Sequence, residues 1–170
     1  MKSLIEEPEL GAQTEAPPPK EKILLVDDDP AIRQLLMRLL VDENYYVLTA
    51  ANGVEALIMA ETMNFDLVVL DLNMPIKDGW QTFAELSAKN PSLRFIVITA
   101  RPNQFLPAMT SGVGALLEKP LDFVKLFSTI RNLLEEPARL RQERSPGGPS
   151  IFRYVPPKTE AAAGKSNPTR

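Results

Sequence analysis

Five runs of aliphatic and β-branched residues alternate along the chain with stretches that repeat apolar positions at helical spacing. KILLVDDD (22–29), YYVLTA (45–50), DLVVLD (66–71), LRFIVITA (93–100) and GALLEK (114–119) read as strands. DLVVLD lacks the polar alternation of a half-solvated strand, as expected when both faces are covered. Asp29-Pro30 predicts a helix start, with the acid at the N-cap and proline at the first helical position. Ile32, Leu35, Leu36, Leu39 and Leu40 then form one apolar helical face. Asn52 predicts the cap of a second helix with Val54, Leu57, Ile58 and Met59 inward. A third helix is predicted from Gly79 to Lys89, closed by Asn90-Pro91. A last one opens at Asp122, with Phe123, Leu126, Phe127, Ile130, Leu133 and Leu134 inward and Pro137 beyond it. Between the fourth and fifth strands, Pro102 and Pro107 allow only a short or kinked helix. Strict strand–helix alternation implies an α/β fold: a doubly wound, mainly parallel sheet with right-handed crossovers.

Proline placement divides the chain. Of 16 prolines, four lie in residues 1–20 and six in residues 137–170. Residues 1–20 therefore read as a flexible N-terminal arm and residues 137–170 as a basic, Pro/Gly-rich, disordered C-terminal tail. Residues 21–136 form the folded domain. The tail's aromatic cluster, IFRY (151–154), reads as a stray apolar patch in preference to a docking segment. Arg139, Arg141 and Arg144 read as extending the last helix with a solvated face.

Charge and composition narrow the chemistry. Residues 21–136 carry 10 basic and 16 acidic side chains, whereas residues 137–170 carry 7 basic and 2 acidic. An acidic folded block does not suit a nucleic-acid surface. With no cysteine, disulfides and thiolate metal sites are excluded; with no histidine, so are a Ser-His-Asp triad and imidazole base catalysis. The start lacks an apolar run long enough for a signal peptide, and no 18-residue apolar stretch occurs. The expectation is a cytoplasmic protein without a membrane partner.

In open α/β sheets, sites lie outside the carboxyl ends of the strands. Four of the predicted strands end there in polar residues: Asp27-Asp28-Asp29, Asp71, Thr99 and Lys119. Each alone has a structural explanation as a cap, a strand threonine or a solvated lysine. Together, several carboxylates on one rim would repel one another without a cation. Mg²⁺ takes one or two carboxylates along with waters and phosphate oxygens. Asp28 and Asp71, with Asp27 direct or through water, match that demand. Asp71 is then the candidate nucleophile toward phosphorus, while Lys119 and Thr99 are the groups that would contact phosphate oxygens.

VDDDP, VVLDLNMP, KDG, ITA and EKP, in this order and at these spacings, resemble the receiver domain of two-component response regulators (CheY-like) over about residues 22–136. The resemblance implies a flavodoxin-like (βα)₅ sheet of strand order 2-1-3-4-5. It implies phosphorylation of Asp71 by the phosphohistidine of a sensor histidine kinase or phosphotransfer protein, with magnesium as cofactor. By position, Asp27 and Asp28 correspond to the acidic metal pair, Asn73 to the residue whose backbone carbonyl completes the metal site, and Thr99 to the switch hydroxyl. Lys119, before a cis peptide to Pro120, corresponds to the phosphate-contacting lysine. Pro75 and Gly79 shape the loop, where Gly79 is free to take a positive φ. Trp80 and Met74 read as packing. Leu116 stands where such domains often carry Tyr or Phe, which leaves transmission of the switch open.

The expected function is a phosphorylation-switched interaction module acting on a downstream protein target. It would have no catalytic output of its own, since residues 137–170 do not suit a folded effector. A homodimer is among the arrangements left open. Two alternatives are a Mg²⁺-dependent phosphohydrolase using Asp71, which would need a second acid where Asn73 stands, and a non-switching scaffold. Arg101 and Asn73 flank the site, where they would affect phosphoryl lifetime.

Overall fold

A computed structural model describes residues 21–137 and 152–158. The flexible-arm reading of residues 1–20 and the helix-extending arginines lie outside those residues. Six parallel strands form one sheet in the order β2-β1-β3-β4-β5-β6. The strands are β1 (Lys22–Val26), β2 (Tyr46–Ala50), β3 (Leu67–Asp71), β4 (Arg94–Thr99), β5 (Ala115–Glu118) and β6 (Arg153–Val155). The helices are α1 (Pro30–Asp42), α2 (Gly53–Thr62), α3 (Gly79–Lys89), α4 (Phe105–Ser111) and α5 (Phe123–Leu134). The first five strands follow the expected order.

The sixth strand departs from the five-strand expectation. β6 pairs in parallel with β5, setting Ala115 opposite Arg153, Leu116 opposite Tyr154 and Leu117 opposite Val155. The IFRY cluster thus contributes a sheet edge, and residues 152–158 correct the reading of the whole tail as disordered. Pairing of a three-residue strand depends on the neighbours it meets, which no local pattern reports.

The sheet is covered on both faces. α1 and α5 seal one side over Leu36, Leu40, Leu126, Ile130 and Leu133. α2, α3 and α4 cover the other with Ala56, Phe83, Leu86 and Ala108. β3 is buried along its whole length, which is why its sequence does not alternate. Each fully buried Leu or Ile side chain in these layers contributes roughly 1.5–3 kcal/mol.

Start signals act as read. Asp29 accepts from the Ala31 and Ile32 amides at the head of α1, and Asn52 from those of Val54 and Glu55 at α2. α4 is short, and its Pro107 falls in the first turn, where an amide would have no intrahelical partner anyway. Some inward assignments are corrected. Leu35, Val54 and Ile58 are exposed. α2 instead buries Gly53 and Ala56, because a Cβ at Gly53 would meet Thr82 Oγ1 of α3 at 2.0 Å. Close helix approach selects small residues there over the aliphatic ones.

Candidate functional site

The strand order reverses between β1 and β3, and the acids stand at the carboxyl ends of those two strands. Asp71 is the last residue of β3 and is 2% exposed; Asp27, just past β1, is 1% exposed. Asp28 is exposed. One carboxylate oxygen from each of Asp27, Asp28 and Asp71 lies within 4.8 Å of the others, so the trio could hold a metal ion. An all-oxygen carboxylate set of this size suits a hard divalent cation.

Lys119, one residue past β5, reaches across to the same point. Its ammonium lies 2.5 Å from Asp71 Oδ2 and 3.2 Å from Asp27 Oδ2. Burial works to lower the Lys119 pKa, but the hydrogen bond the ammonium donates to Asp71 and the two carboxylate charges outweigh that and raise it above the ordinary lysine value. Burial pushes the Asp27 carboxyl up, aided by the Asp71 charge, despite its bonds to the Asp29 amide and to Lys119. The site is therefore a pair of buried acids with one cation between them. The Lys119–Pro120 peptide is cis, as the resemblance implied.

The other Asp71 oxygen is held by the Asn73 backbone N–H at 2.8 Å. The two Asp27 groups are held separately: Oδ1 by the Asp29 N–H at 2.9 Å and the backbone carbonyl by Arg33 Nη1 at 2.6 Å. Such bonds fix the carboxylates before any ligand arrives, the preorganisation that charge-transfer chemistry needs. Thr99 is fully buried at the end of β4, and its hydroxyl oxygen accepts the Arg101 N–H at 2.8 Å. The hydroxyl proton remains available for donation.

Arg101 and Asp78 have a larger structural part than the sequence reading gave them. Arg101 Nε donates to the Asn73 side-chain oxygen, and Arg101 Nη1 to Asp78 Oδ2 at 2.8 Å. Asp78 also caps α3 through the Trp80 N–H. One guanidinium thus joins the loops after β3 and β4. The Asp-Gly pair ahead of a helix was the available cue for the cap; nothing in the sequence pointed to its arginine partner.

Gly79 requires a correction. It is the first residue of α3 and does not have a positive φ; among the described glycines only Gly112 does. Its role is spatial, since a Cβ there would lie 2.6 Å from both the Asp71 carbonyl oxygen and the Leu72 Cα. The positive φ of the loop falls on Ile76, at 71°. With Lys77 N–H donating to the Pro75 carbonyl at 2.8 Å, it forms a γ-turn of the strained hand. Met74 is buried in the core. Trp80 packs edge-on to Phe83, with its indole N–H on Gln104 Oε1 at 2.9 Å.

A doubly wound parallel sheet with acids and a lysine gathered at its carboxyl rim defines a flavodoxin-like domain with a site that could hold a cation. The response regulator receiver domain model matches residues 23–131, and the chain belongs to that family. It is 39% identical over 117 residues to the transcriptional regulatory protein GlrR of Escherichia coli K12, covering 68% of this chain and 26% of that protein. It is 34% identical over 123 residues to the response regulator MprA of a Mycobacterium species, covering 71% and 52%. The chain thus spans between a quarter and about half the length of these relatives. Among solved structures, it resembles the response regulator TrrA of Thermotoga maritima in complex with Mg²⁺-BeF. The TM-score is 0.63 and the identity 33%, covering 67% of this chain and 99% of that one.

Proposed function

We propose that Asp71 accepts a phosphoryl group from the phosphohistidine of a sensor histidine kinase or phosphotransfer protein, and that the product switches the chain's contacts with a downstream protein in a phosphorelay. The observation that carries this reading is the buried Asp71 carboxylate, held by Lys119 at 2.5 Å on one oxygen and by the Asn73 N–H on the other, with two further acids beside it. An Asp71 oxygen attacks phosphorus; the O–P bond forms as the histidine N–P bond breaks. The imidazole leaves with that electron pair and takes a proton from water.

Lys119 then serves the phosphoryl oxygens that replace its bond to Asp71, and Thr99 donates its hydroxyl to another. Asp27, Asp28 and Asp71, with the Asn73 carbonyl, are the residues that would hold Mg²⁺. When bound, the ion supplies charge neutralisation between the carboxylates and the incoming phosphate. The Mg²⁺-containing TrrA structure supports the choice of metal. Asn73 stands where a phosphohydrolase would need a second acid, so turnover of phosphomonoesters is not part of the reading. A cytoplasmic location is part of it. Among the described residues, no helix is long and apolar enough to cross a membrane.

The test is incubation of the full chain with Mg²⁺ and acetyl phosphate, followed by intact mass measurement. One added phosphate is expected on the wild type and none on Asp71→Asn. Equal incorporation by both overturns the assignment.

A further inference from the structure

The segment 152–158 is gripped at points that bracket the site lysine. β6 sets Phe152 and Tyr154 on one face, where both rings pack edge-on against Phe105 of α4, with centroids 5.5 and 5.3 Å away. Val155 faces the opposite layer and packs with the α1/α5 core, as a period of two requires. Arg153 N–H donates to the Gly114 carbonyl at 3.1 Å. Two contacts then flank Lys119. The Tyr154 phenol faces the Glu118 carboxylate at the end of β5, and past β5 the Lys158 N–H donates to the Pro120 carbonyl at 2.9 Å. Glu118 and Pro120 are the two neighbours of Lys119, whose ammonium rests on Asp71.

From this arrangement we propose that residues 152–158 are a releasable strap whose docking on the β5 edge opposes phosphorylation of Asp71, so that phosphorylation frees the strap and bares that edge with the Phe105 flank of α4. The coupling rests on the acceptor reading above. The docked strap holds both flanks of Lys119 in the position that serves a bare carboxylate. A phosphoryl group would place new oxygens between Asp71 and the ammonium, and in the proposed switch Lys119 shifts with its backbone to serve them. Glu118 and Pro120 would then move with it, loosening the contacts the strap makes to them. By linkage, whatever factor phosphorylation takes from strap docking, docking takes from phosphorylation.

The strap suits release. Tyr154 is 42% and Phe105 41% exposed, so the aromatic contact is shallow. A three-residue strand has little stability apart from such contacts. Once it leaves, β5 presents unpaired N–H and C=O groups beside an aromatic ring, a surface built to accept one extended segment of the kind Phe152-Arg153-Tyr154-Val155 supplies.

The experiment measures hydrogen exchange across 115–118 and 152–158 in the full chain, with and without Mg²⁺ and acetyl phosphate, alongside phosphate occupancy by intact mass. The phosphorylated wild type should exchange at least tenfold faster in 153–155. The Phe152→Ala/Tyr154→Ala double variant should exchange that fast without phosphate and reach half-occupancy at several-fold lower donor concentration. Arg153→Pro, which removes the N–H given to Gly114 along with the arginine side chain, should behave alike. Full phosphate occupancy with unchanged strap protection, or unchanged donor dependence in both variants, overturns the strap and leaves the acceptor reading standing. Absence of phosphate from the wild type overturns both.

Discussion

The Arg101 guanidinium lies 2.8 Å from Asp78 Oδ2, joining the loop behind Thr99 to the residue that caps α3. Partial burial would raise the Asp78 carboxyl, but the Arg101 hydrogen bond and the Trp80 N–H outweigh it and hold the pKa below the ordinary value of 3.8. A folded-state pKa below the unfolded one adds stability that is fully present above the unfolded value and is lost as pH falls through the folded value. Asp78→Asn keeps one oxygen for the cap but sets an amide NH₂ where Oδ2 faced Arg101, so the charge and the Arg101 bond are lost together. It should lower stability at pH 7 by about 0.5 kcal/mol, the size of a solvent-screened pair. Urea titrations at stepped pH should show the gap between wild type and variant closing below about pH 4. A gap constant down to pH 2 would exclude the ion pair as its source.

Gly79→Ala separates two glycine effects. Alanine is the better helix former by about 1 kcal/mol, which favours the substitution at the start of α3. The added Cβ, however, would sit 2.6 Å from backbone atoms of Asp71 and Leu72, and neither can rotate away. Overpacking of this kind costs about 1–3 kcal/mol, so the net change should be destabilising. Chemical denaturation reads it directly, and a gain in stability would contradict the spatial role.

The Gly79 correction illustrates how far the sequence reached. Strand runs, the Asp29, Asn52 and Asp122 caps and the gathering of Asp27, Asp71 and Lys119 were all legible, because they follow from local periodicity and from the geometry of parallel strands. Positions set by distant partners were not. Gly79 was expected to supply loop flexibility, yet it clears β3 while Ile76 takes the positive φ. Leu35, Val54 and Ile58 fit an apolar stripe, but the neighbouring elements do not extend over them. β6 looked like isolated aromatics in a polar tail until Phe105 and the β5 edge supplied its partners. The Arg101 bridge likewise joins residues 23 positions apart.

Ile76 is 82% exposed and β-branched, with φ at 71°. A branched side chain in that region costs about 1–2 kcal/mol that glycine does not incur, and little burial would be lost. Ile76→Gly should therefore stabilise the fold by about 1 kcal/mol after the entropy of the freer unfolded chain is subtracted. Thermal unfolding would show a rise in Tm, and a fall would mean that the turn is not strained as its φ indicates.

A divalent cation held as proposed would compete with Lys119 for the same two carboxylates. Its ammonium contacts Asp71 and Asp27, two of the three acids that could surround a metal. In Lys119→Ala those acids lose their only near cation among the described ion pairs. The variant should be less stable without metal, since a buried charge stripped of its partner is costly. It should also bind Mg²⁺ more tightly, because the ion no longer has to displace or share with the ammonium. A tenfold fall in Kd corresponds to about 1.4 kcal/mol, and ligand linkage makes it visible as a larger Mg²⁺-induced rise in Tm than the wild type shows. Phosphate uptake from acetyl phosphate should fall in the same variant, since the phosphoryl oxygens lose the charge proposed to receive them. Tighter metal with weaker phosphorylation is a combination that simple loss of folding cannot produce. Unchanged Mg²⁺ affinity would mean that the ion and Lys119 do not share Asp71 and Asp27.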